Sequence, residues 1–156
     1  MDIMTKKRAL FPGSFDPFTL GHLNILKRAL TMFDEVVVAI GVNRNKTGMF
    51  SLERKIDIIR QATEGLSGVV IDKYDCLTVD YCRQHGIHHI IRGVRNFVDF
   101  DNEKAIADAN RKLNPKVETI IIPTAQEYAH ISSTAVRDVL QHGGDTSAFI
   151  PKGIKL

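Results

Sequence analysis

The chain has 156 residues, of which 44% are hydrophobic and 25% charged, and its formal net charge at neutral pH is +3. These values are ordinary for a globular protein and predict one domain over residues 1–156, large enough for a well-buried core. The mild positive charge suits an anionic small-molecule ligand and does not by itself indicate nucleic acid. No apolar run approaches the roughly 20 residues that a membrane helix needs, so no membrane partner is expected.

The N-terminal residues and the cysteines predict a cytoplasmic protein. Residues 1–8 contain no apolar stretch, so no signal peptide is visible. Cys76 and Cys82 are six positions apart and lack companions at metal-ligand spacing. We therefore expect reduced thiols and no disulfide.

The first predicted unit is a strand, a glycine turn and a helix. The apolar run 9–11 ends at Pro12-Gly13, which predicts a buried strand that stops abruptly. His22 then falls in the first turn of an amphipathic helix. The apolar positions of that helix are Leu23, Leu26, Leu30 and Phe33.

Strand and helix patterns alternate five times along the chain. The remaining strands are predicted at 36–40, 69–71, 87–91 and 117–122. The remaining helices are predicted after Ser51, at 79–85, at 99–113 and after Ser132 or Ser133. Phe149 and Ile150, in the C-terminal tail, are expected to dock on the body of the domain. This alternation predicts an α/β fold, a Rossmann-like, doubly wound, five-stranded parallel sheet with helices on both faces.

The polar clusters of interest follow the predicted strands. Ligands of such sheets bind at the carboxyl ends of the strands, near the switch point. The clusters after strands one to five are residues 14–22, Lys46, Leu77-Thr78, residues 92–95 and residues 128–134. We therefore expect these residues to share one edge of the sheet.

Three of these clusters have the chemistry of phosphate binding. His22 lies at a helix N-terminus, where unpaired N–H groups attract anions, although a lone histidine at a helix start is more often a surface residue. Arg92 and Arg95 flank Gly93, and guanidinium groups bind phosphate through paired hydrogen bonds, whereas a charged surface turn is the alternative. The three hydroxyls of 132–134 exceed what an ordinary helix cap needs. An isolated loop lysine is usually solvated, but the place of Lys46 at the predicted active edge favours a phosphate contact.

Three strings of the sequence resemble one family. The string over 12–22, Pro-Gly-Ser-Phe-Asp-Pro followed by Thr-x-Gly-His, resembles a motif of the nucleotidylyltransferase superfamily. The version with Thr at position 19, preceded by Gly-Ser-Phe-Asp-Pro, resembles that of the bacterial phosphopantetheine adenylyltransferase family. The string 91–103, with Arg92, Arg95, Asp99, Phe100 and Glu103, and the string 131–137 resemble its other two elements. The chain departs from many relatives at Asn102, where they carry Tyr, and at Tyr128, where they often carry Trp.

The resemblance implies that the chain transfers AMP from ATP to 4′-phosphopantetheine, with His22, Lys46 and Arg95 as catalytic residues. It implies Mg²⁺ on the triphosphate without a protein metal site, a homohexamer, and CoA as a candidate feedback inhibitor. The implied ATP-binding residues are Ser14, Phe15, His22, Gly93, Val94, Arg95, Glu103, Tyr128, Ala129, His130, Ile131, Ser132, Ser133 and Thr134. The implied acceptor-binding residues are Ser14, Lys46, Leu77, Thr78 and Arg92.

Three alternatives stay open from the sequence. The first is another adenylyl- or cytidylyltransferase, such as one acting on nicotinate mononucleotide; such relatives usually carry His at the position of Thr19 and lack the string from Arg92 to Glu103. A nucleotide sensor without activity would have little use for groups directed at the α-phosphorus. A nucleic-acid-binding module is disfavoured by the low net charge and by an aromatic content of only 7%.

Overall fold

The computed structural model describes residues 5–156, which form one parallel five-stranded sheet with helices on both faces. The strands are β1 (Arg8–Gly13), β2 (Glu35–Gly41), β3 (Val69–Tyr74), β4 (His89–Val94) and β5 (Glu118–Pro123). Their order in the sheet is β3-β2-β1-β4-β5, and every neighbouring pair is parallel, so the predicted architecture is confirmed. The chain runs outward from β1 through β2 to β3 and then returns to β4 on the other side of β1. The topological switch point therefore lies between β1 and β4.

Five α-helices cover the sheet. They are α1 (Leu20–Ala29), α2 (Leu52–Ala62), α3 (Thr78–His85), α4 (Phe97–Leu113) and α5 (Ser133–Gln141), and a 3₁₀ turn, Gln126–Tyr128, precedes α5. Buried side chains of α1, α2 and α5 pack on one face, and those of α3 on the other, where α4 contacts α3, β4 and β5. Within residues 5–156, no helix combines the length and apolar character needed to cross a membrane.

The central strands are buried on both faces because their apolar residues alternate between two clusters. Phe11 and Val38 join the cluster under α1, whereas Leu10 and Val37 join the cluster under α3. A run of consecutive apolar residues is typical of a strand covered on both sides. The predicted docking of the tail is confirmed, because Ile150 is buried and Phe149 accepts a hydrogen bond from the Leu20 amide at 3.0 Å.

Several predicted boundaries were wrong, among them the end of β3, which runs to Tyr74 and not to residue 71, and the start of α4, which lies at Phe97 and not at residue 99. β4 ends at Val94 and not at residue 91, because its ladder with β5 continues to the Val94–Pro123 pair. Arg92 and Gly93 therefore lie within the strand. α1 ends at Ala29, so Leu30 caps the helix and Phe33 lies beyond it, although both still pack against the core.

Candidate active site

A cleft of about 300 Å³ opens beside the switch point, at the carboxyl ends of β1 and β4. The N-termini of α1 and α5 both line it, so the positive ends of two helix dipoles border one cavity. We call it the first cleft. The predicted site residues that it brings together are Ser14, Phe15, His22, Arg92, Gly93, Arg95, Glu103, Ile131, Ser132, Ser133 and Thr134.

The orientation of the His22 ring is fixed by a capping box at the start of α1. Thr19 is the N-cap, and its hydroxyl accepts a hydrogen bond from the His22 amide at 3.4 Å. In return, His22 Nδ1 accepts a hydrogen bond from the Thr19 amide at 3.0 Å. Because Nδ1 is an acceptor here, the proton of the neutral ring lies on Nε2. His22 therefore offers one N–H donor from Nε2.

The His22 ring is held in the neutral form. Burial, followed by the charges of Arg92 and Arg95, lowers the pKa of His22 from 6.5 to about 3. Both effects disfavour the imidazolium ion, the first by desolvation and the second by like-charge repulsion. Three phenylalanines surround the ring, at centroid distances of 5.0 Å for Phe15, 5.4 Å for Phe18 and 6.3 Å for Phe11.

Phe15 is placed against His22 by an unusual backbone conformation. Its φ of 45° lies in the left-handed region, which bulky residues seldom adopt. The ring of Phe15 meets that of His22 edge-on, at an interplanar angle of 82°. Strain of this kind concentrates at functional sites, where surrounding contacts maintain it.

Arg92 is fixed from two sides. Its Nε and Nη2 donate to the two carboxylate oxygens of Glu103 at 2.8 and 2.6 Å, and its Nη1 donates to the Pro12 carbonyl. A guanidinium carries five N–H donors, so these three bonds leave two for a ligand. The carboxylate of Glu103 is engaged by Arg92, and a contact from Glu103 to ATP stays a prediction.

Arg95 is held in the same way by a neighbouring carboxylate. Its Nε and Nη2 donate to Asp99 at 2.8 and 3.2 Å. The hydrogen bond from Arg95 keeps the pKa of Asp99 below its usual range, so this carboxylate stays ionised. Asp99 lines the first cleft, and sequence reasoning gave it no role beyond a motif match.

Gly93 is needed for packing. A Cβ atom at this position would lie 2.9 Å from Cγ1 of Ile25, on α1. The glycine therefore lets α1 approach β4 closely, and this approach brings His22 into the same cleft as Arg92.

The three hydroxyls at the start of α5 each have a protein partner. Ser132 is the N-cap and accepts from the Ala135 amide at 3.0 Å, as predicted for one of the two serines. Ser133 donates to the Pro17 carbonyl at 2.8 Å, and Thr134 accepts from Arg137 at 3.1 Å. These contacts position the first turn of α5, whose backbone N–H groups face outward from the helix end.

A second cleft, of about 280 Å³, lies between α4 and the sheet. It shares a wall with the first cleft, consisting of Pro12, Gly13, Ser14, Arg92 and Glu103. Its other side chains mix polar and apolar groups, with Tyr74, Thr78, Ile106, Asn110 and Thr119 among them. The predicted residue Thr78 lines the second cleft, and its hydroxyl shares a hydrogen bond with the Tyr74 hydroxyl at 3.0 Å.

Lys46 borders a third and larger cavity, of about 910 Å³. Its side chain is exposed, on the loop between β2 and α2, and its amide donates to the Asn43 carbonyl at 3.2 Å. Ser14 lines this cavity as well as the first two, so the three cavities meet at Ser14.

Some predicted site residues lie outside the clefts. Leu77 caps α3 with its side chain exposed, and Val94 is buried at the end of β4. Tyr128, Ala129 and His130, in and after the 3₁₀ turn, line none of the three cavities. Contacts from these residues to a ligand stay predictions.

The donor set of the first cleft bears on metal binding. Its two carboxylates, Asp99 and Glu103, are each paired with an arginine. Within residues 5–156, no group of three histidine, cysteine, aspartate or glutamate side chains is arranged to hold a metal ion.

The sequence is similar to known proteins over nearly its whole length. A family model described as cytidylyltransferase-like matches residues 10–139. The phosphopantetheine adenylyltransferases of Phocaeicola vulgatus and Flavobacterium psychrophilum are each 47% identical over 150 residues, covering 96% of this chain and 99% of the relative. The corresponding protein of Leptospira biflexa is 42% identical, covering 94% of this chain and 91% of the relative.

Solved structures share the fold at low sequence identity. A bifunctional NMN adenylyltransferase/ADP ribose pyrophosphatase from Francisella tularensis superimposes with a TM-score of 0.75 at 19% identity, over 96% of this chain and 46% of that one. A lipopolysaccharide core biosynthesis protein from Thermoplasma volcanium gives a TM-score of 0.56 at 20% identity, over 78% and 98%. At these identities the similarity establishes the fold alone.

Proposed function

The chain belongs to the phosphopantetheine adenylyltransferase family, and from this premise we propose that it transfers the AMP group of ATP to 4′-phosphopantetheine, giving 3′-dephospho-CoA and pyrophosphate in coenzyme A biosynthesis. The observation that carries the proposal is the shared wall of the first and second clefts, which includes Ser14 and Arg92. Two substrates bound in adjoining clefts would meet at this wall, as a direct transfer between them requires.

ATP occupies the first cleft in this proposal. The N-termini of α1 and α5, with Arg95, supply the positive potential that a triphosphate needs. Arg95 and residues 132–134 bind the β- and γ-phosphates, and Nε2 of His22 donates to the α-phosphate. Of the other predicted ATP contacts, those from Phe15, Glu103 and residues 128–131 are assigned to the nucleoside end.

The acceptor occupies the second cleft. Its phosphate binds at the shared wall, where Arg92 has two unused donors and Ser14 is exposed, and Lys46 approaches from the neighbouring cavity. The mixed polar and apolar side chains of the second cleft suit the pantetheine arm, which carries two amides along an aliphatic chain. Thr78 provides a hydroxyl there, and Leu77 is adjacent to it.

The chemistry needs no general base. A phosphate oxygen of 4′-phosphopantetheine, already anionic near neutral pH, forms a bond to the α-phosphorus while the bond to the bridging oxygen breaks and pyrophosphate leaves. A neutral His22 fits this reaction because it donates a hydrogen bond to the developing charge without taking a proton. Fixed donors that need no reorganisation lower the barrier most effectively.

Mg²⁺ is proposed as the cofactor; it would be bound mainly by phosphate oxygens and water and would offset the negative charge of the pyrophosphate. The pairing of Asp99 and Glu103 with arginines supports this mode, since neither carboxylate is free to serve as a direct ligand.

Assembly, regulation and location complete the proposal. A homohexamer is supported by the large apolar side chains that α4 exposes to solvent. CoA, as a product-like molecule, is a candidate feedback inhibitor at the same clefts. Cys76 and Cys82 are both free thiols, which supports a reducing compartment such as the cytoplasm.

One assay tests the proposed function. The purified protein is incubated with ATP, Mg²⁺ and 4′-phosphopantetheine, and 3′-dephospho-CoA is identified by mass together with pyrophosphate release. Parallel reactions replace the acceptor by nicotinate mononucleotide or omit Mg²⁺. We expect product only in the complete reaction, and adenylylation of nicotinate mononucleotide instead would contradict the assignment.

A further inference from the structure

Asp16 is a buried carboxylate next to the active site that the proposed mechanism does not use. Its Oδ2 accepts a hydrogen bond from the Met49 amide at 2.9 Å, and its Oδ1 accepts one from the Phe50 amide at 3.0 Å. These two amides follow Lys46 by three and four residues, on the same loop. The carboxylate of Asp16 thus ties the Lys46 loop to the segment between β1 and α1.

The charge of Asp16 is matched by two cations that are themselves largely covered. Lys55 Nζ lies 3.9 Å from Oδ1, and Arg137 Nη1 lies 3.8 Å from Oδ2. The side chain of Lys55 is only 11% exposed. A carboxylate that accepts two amide hydrogen bonds and faces two cations is strongly held in one position.

Gly48 permits this contact. A Cβ atom at position 48 would lie 3.0 Å from Asp16 Oδ2 and 3.1 Å from Lys55 Nζ, closer than side-chain carbons normally approach. Gly48 lacks a positive φ, so its backbone does not require glycine. The absence of a side chain at this position therefore serves the close approach of the loop to Asp16.

The backbone of the same segment supports the other substrate. The Asp16 carbonyl accepts a hydrogen bond from Arg137 at 2.6 Å, and the Pro17 carbonyl accepts one from Ser133 at 2.8 Å. Both donors belong to α5, whose first turn lines the first cleft. The hydrogen bonds of the Asp16 side chain thus go to the Lys46 loop, whereas those that hold the start of α5 come from the backbone around it, and the carboxylate adds only an ion pair with Arg137 at 3.8 Å.

We propose that Asp16 is a positioning residue that holds Lys46 in place for the acceptor phosphate. This inference rests on the proposed function, because it assumes that Lys46 binds the acceptor. Asp16 is not a base in the reaction, since both carboxylate oxygens are engaged by backbone amides and the side chain does not line the first cleft.

The division between side chain and backbone gives a sharp kinetic prediction. Asp16→Ala removes the anchor of the Lys46 loop but keeps the two carbonyls that hold α5. We expect kcat/KM for 4′-phosphopantetheine to fall, by up to about 10²-fold, while the affinity for ATP changes less than about twofold. Asp16→Asn keeps one acceptor oxygen and should give an intermediate loss.

A double-mutant cycle between Asp16 and Lys46 separates positioning from a general structural role. If Asp16 acts through Lys46, adding Asp16→Ala to Lys46→Ala should cost little further activity. Asp145→Ala is the matched control, because Asp145 is an exposed carboxylate that also accepts a backbone amide, that of Ser147 at 2.9 Å. It should leave both substrates unaffected.

Two further measurements keep the proposal testable if Asp16→Ala folds poorly or the assay finds another acceptor. Gly48→Ala perturbs the same contact from the loop side and should reproduce the loss for the acceptor alone. Hydrogen exchange at the Met49 and Phe50 amides, which needs no turnover, should accelerate in Asp16→Ala. Three results would each overturn the positioning role: equal losses for ATP and acceptor, additive effects in the cycle, or unchanged amide exchange. An inactive wild-type protein with faster exchange in the variant would overturn only the proposed function.

Discussion

His22 combines a fixed orientation with a fixed protonation state. The Thr19 amide occupies Nδ1, so Nε2 is the donor, and the lowered pKa keeps the ring neutral throughout the physiological range. We expect His22→Ala to lower kcat by about 10²–10³-fold with little change in ATP affinity, because one stabilising donor is lost in the transition state. Steady-state kinetics and calorimetry measure the two effects. His142→Ala, at an exposed position after α5, is the control, and wild-type turnover by His22→Ala would remove His22 from its proposed role.

The same residue should make the fold sensitive to acid. The pKa of His22 is about 3 in the folded protein and near 6.5 in the unfolded chain, so below pH 6.5 the unfolded state binds the proton first. Each pH unit between 6.5 and 3 then lowers the free energy of unfolding by up to about 1.4 kcal/mol. His22→Gln lacks this loss, so its stability relative to wild type should rise as the pH falls. Urea unfolding at several pH values measures it, and parallel pH profiles would contradict the burial of a neutral ring.

Arg92 and Arg95 are held by different carboxylates and should serve different substrates. Arg92 lies in the wall shared by both clefts, whereas Arg95 lines only the first. Arg92→Ala should therefore weaken binding of 4′-phosphopantetheine and nearly preserve ATP affinity, and Arg95→Ala should weaken ATP binding instead. Calorimetry with each substrate tests the pair, and the reverse pattern would mean that the two clefts are exchanged in our assignment.

The start of α1 joins helix stability to catalysis through Thr19. Its hydroxyl accepts from the His22 amide, and its amide donates to the His22 ring. Thr19→Ala removes the cap and should destabilise the protein by about 1 kcal/mol. It should also lower kcat, because the first turn of α1, which carries His22, is then less firmly fixed. Thermal unfolding and kinetics measure both effects, Thr19→Ser should restore most of each, and a stability loss with unchanged kcat would show that the cap has no role in positioning His22.

The elements show what the sequence could and could not establish. Apolar runs predicted the five strands, and apolar stripes predicted α1, α2 and α5. The prediction of α4 rested on its break at Asn114-Pro115, and this helix has no buried residue. The end of β4 was missed because Arg92 and Gly93 interrupt that run, while the backbone pairing with β5 continues past them. Residue types report on side chains, whereas the hydrogen bonds between paired strands are made by the backbone. The end of the pairing is therefore not visible in the pattern of apolar residues.

The capping box was missed for a related reason. The usual pattern has Glu or Gln three residues after the cap, and here His22 occupies that position. The Thr-x-x-His spacing contained the information, but the residue type did not match the usual pattern. The pairing of Arg92 with Glu103 and of Arg95 with Asp99 could be suggested by their spacing at the start of α4, yet only the fold shows that these carboxylates are thereby occupied.

The whole molecule places its polar groups at one edge because all five strands are parallel and the order in which successive strands are added reverses between β1 and β4. This topology brings residues from four separate loops around Ser14, where the three cavities meet. No single motif predicts that convergence, since it follows from the order of the strands. The same topology places α4 beside α3, over β4 and the edge strand β5, and α4 has no buried residue.

At the scale of the whole molecule, we predict a homohexamer with part of α4 in the interface. α4 exposes large apolar side chains, with Phe97 at 92%, Val98 at 70% and Leu113 at 55%, which suits a surface covered in an oligomer. Light scattering should give a mass near that of six 17.5 kDa chains for the wild-type protein. Val98→Glu should lower that mass, because a charge in an apolar interface is costly to desolvate, whereas Met32→Glu, at an exposed apolar position after α1, should not. A wild-type monomer would contradict the homohexamer, and an unchanged mass for Val98→Glu would move the interface away from this part of α4.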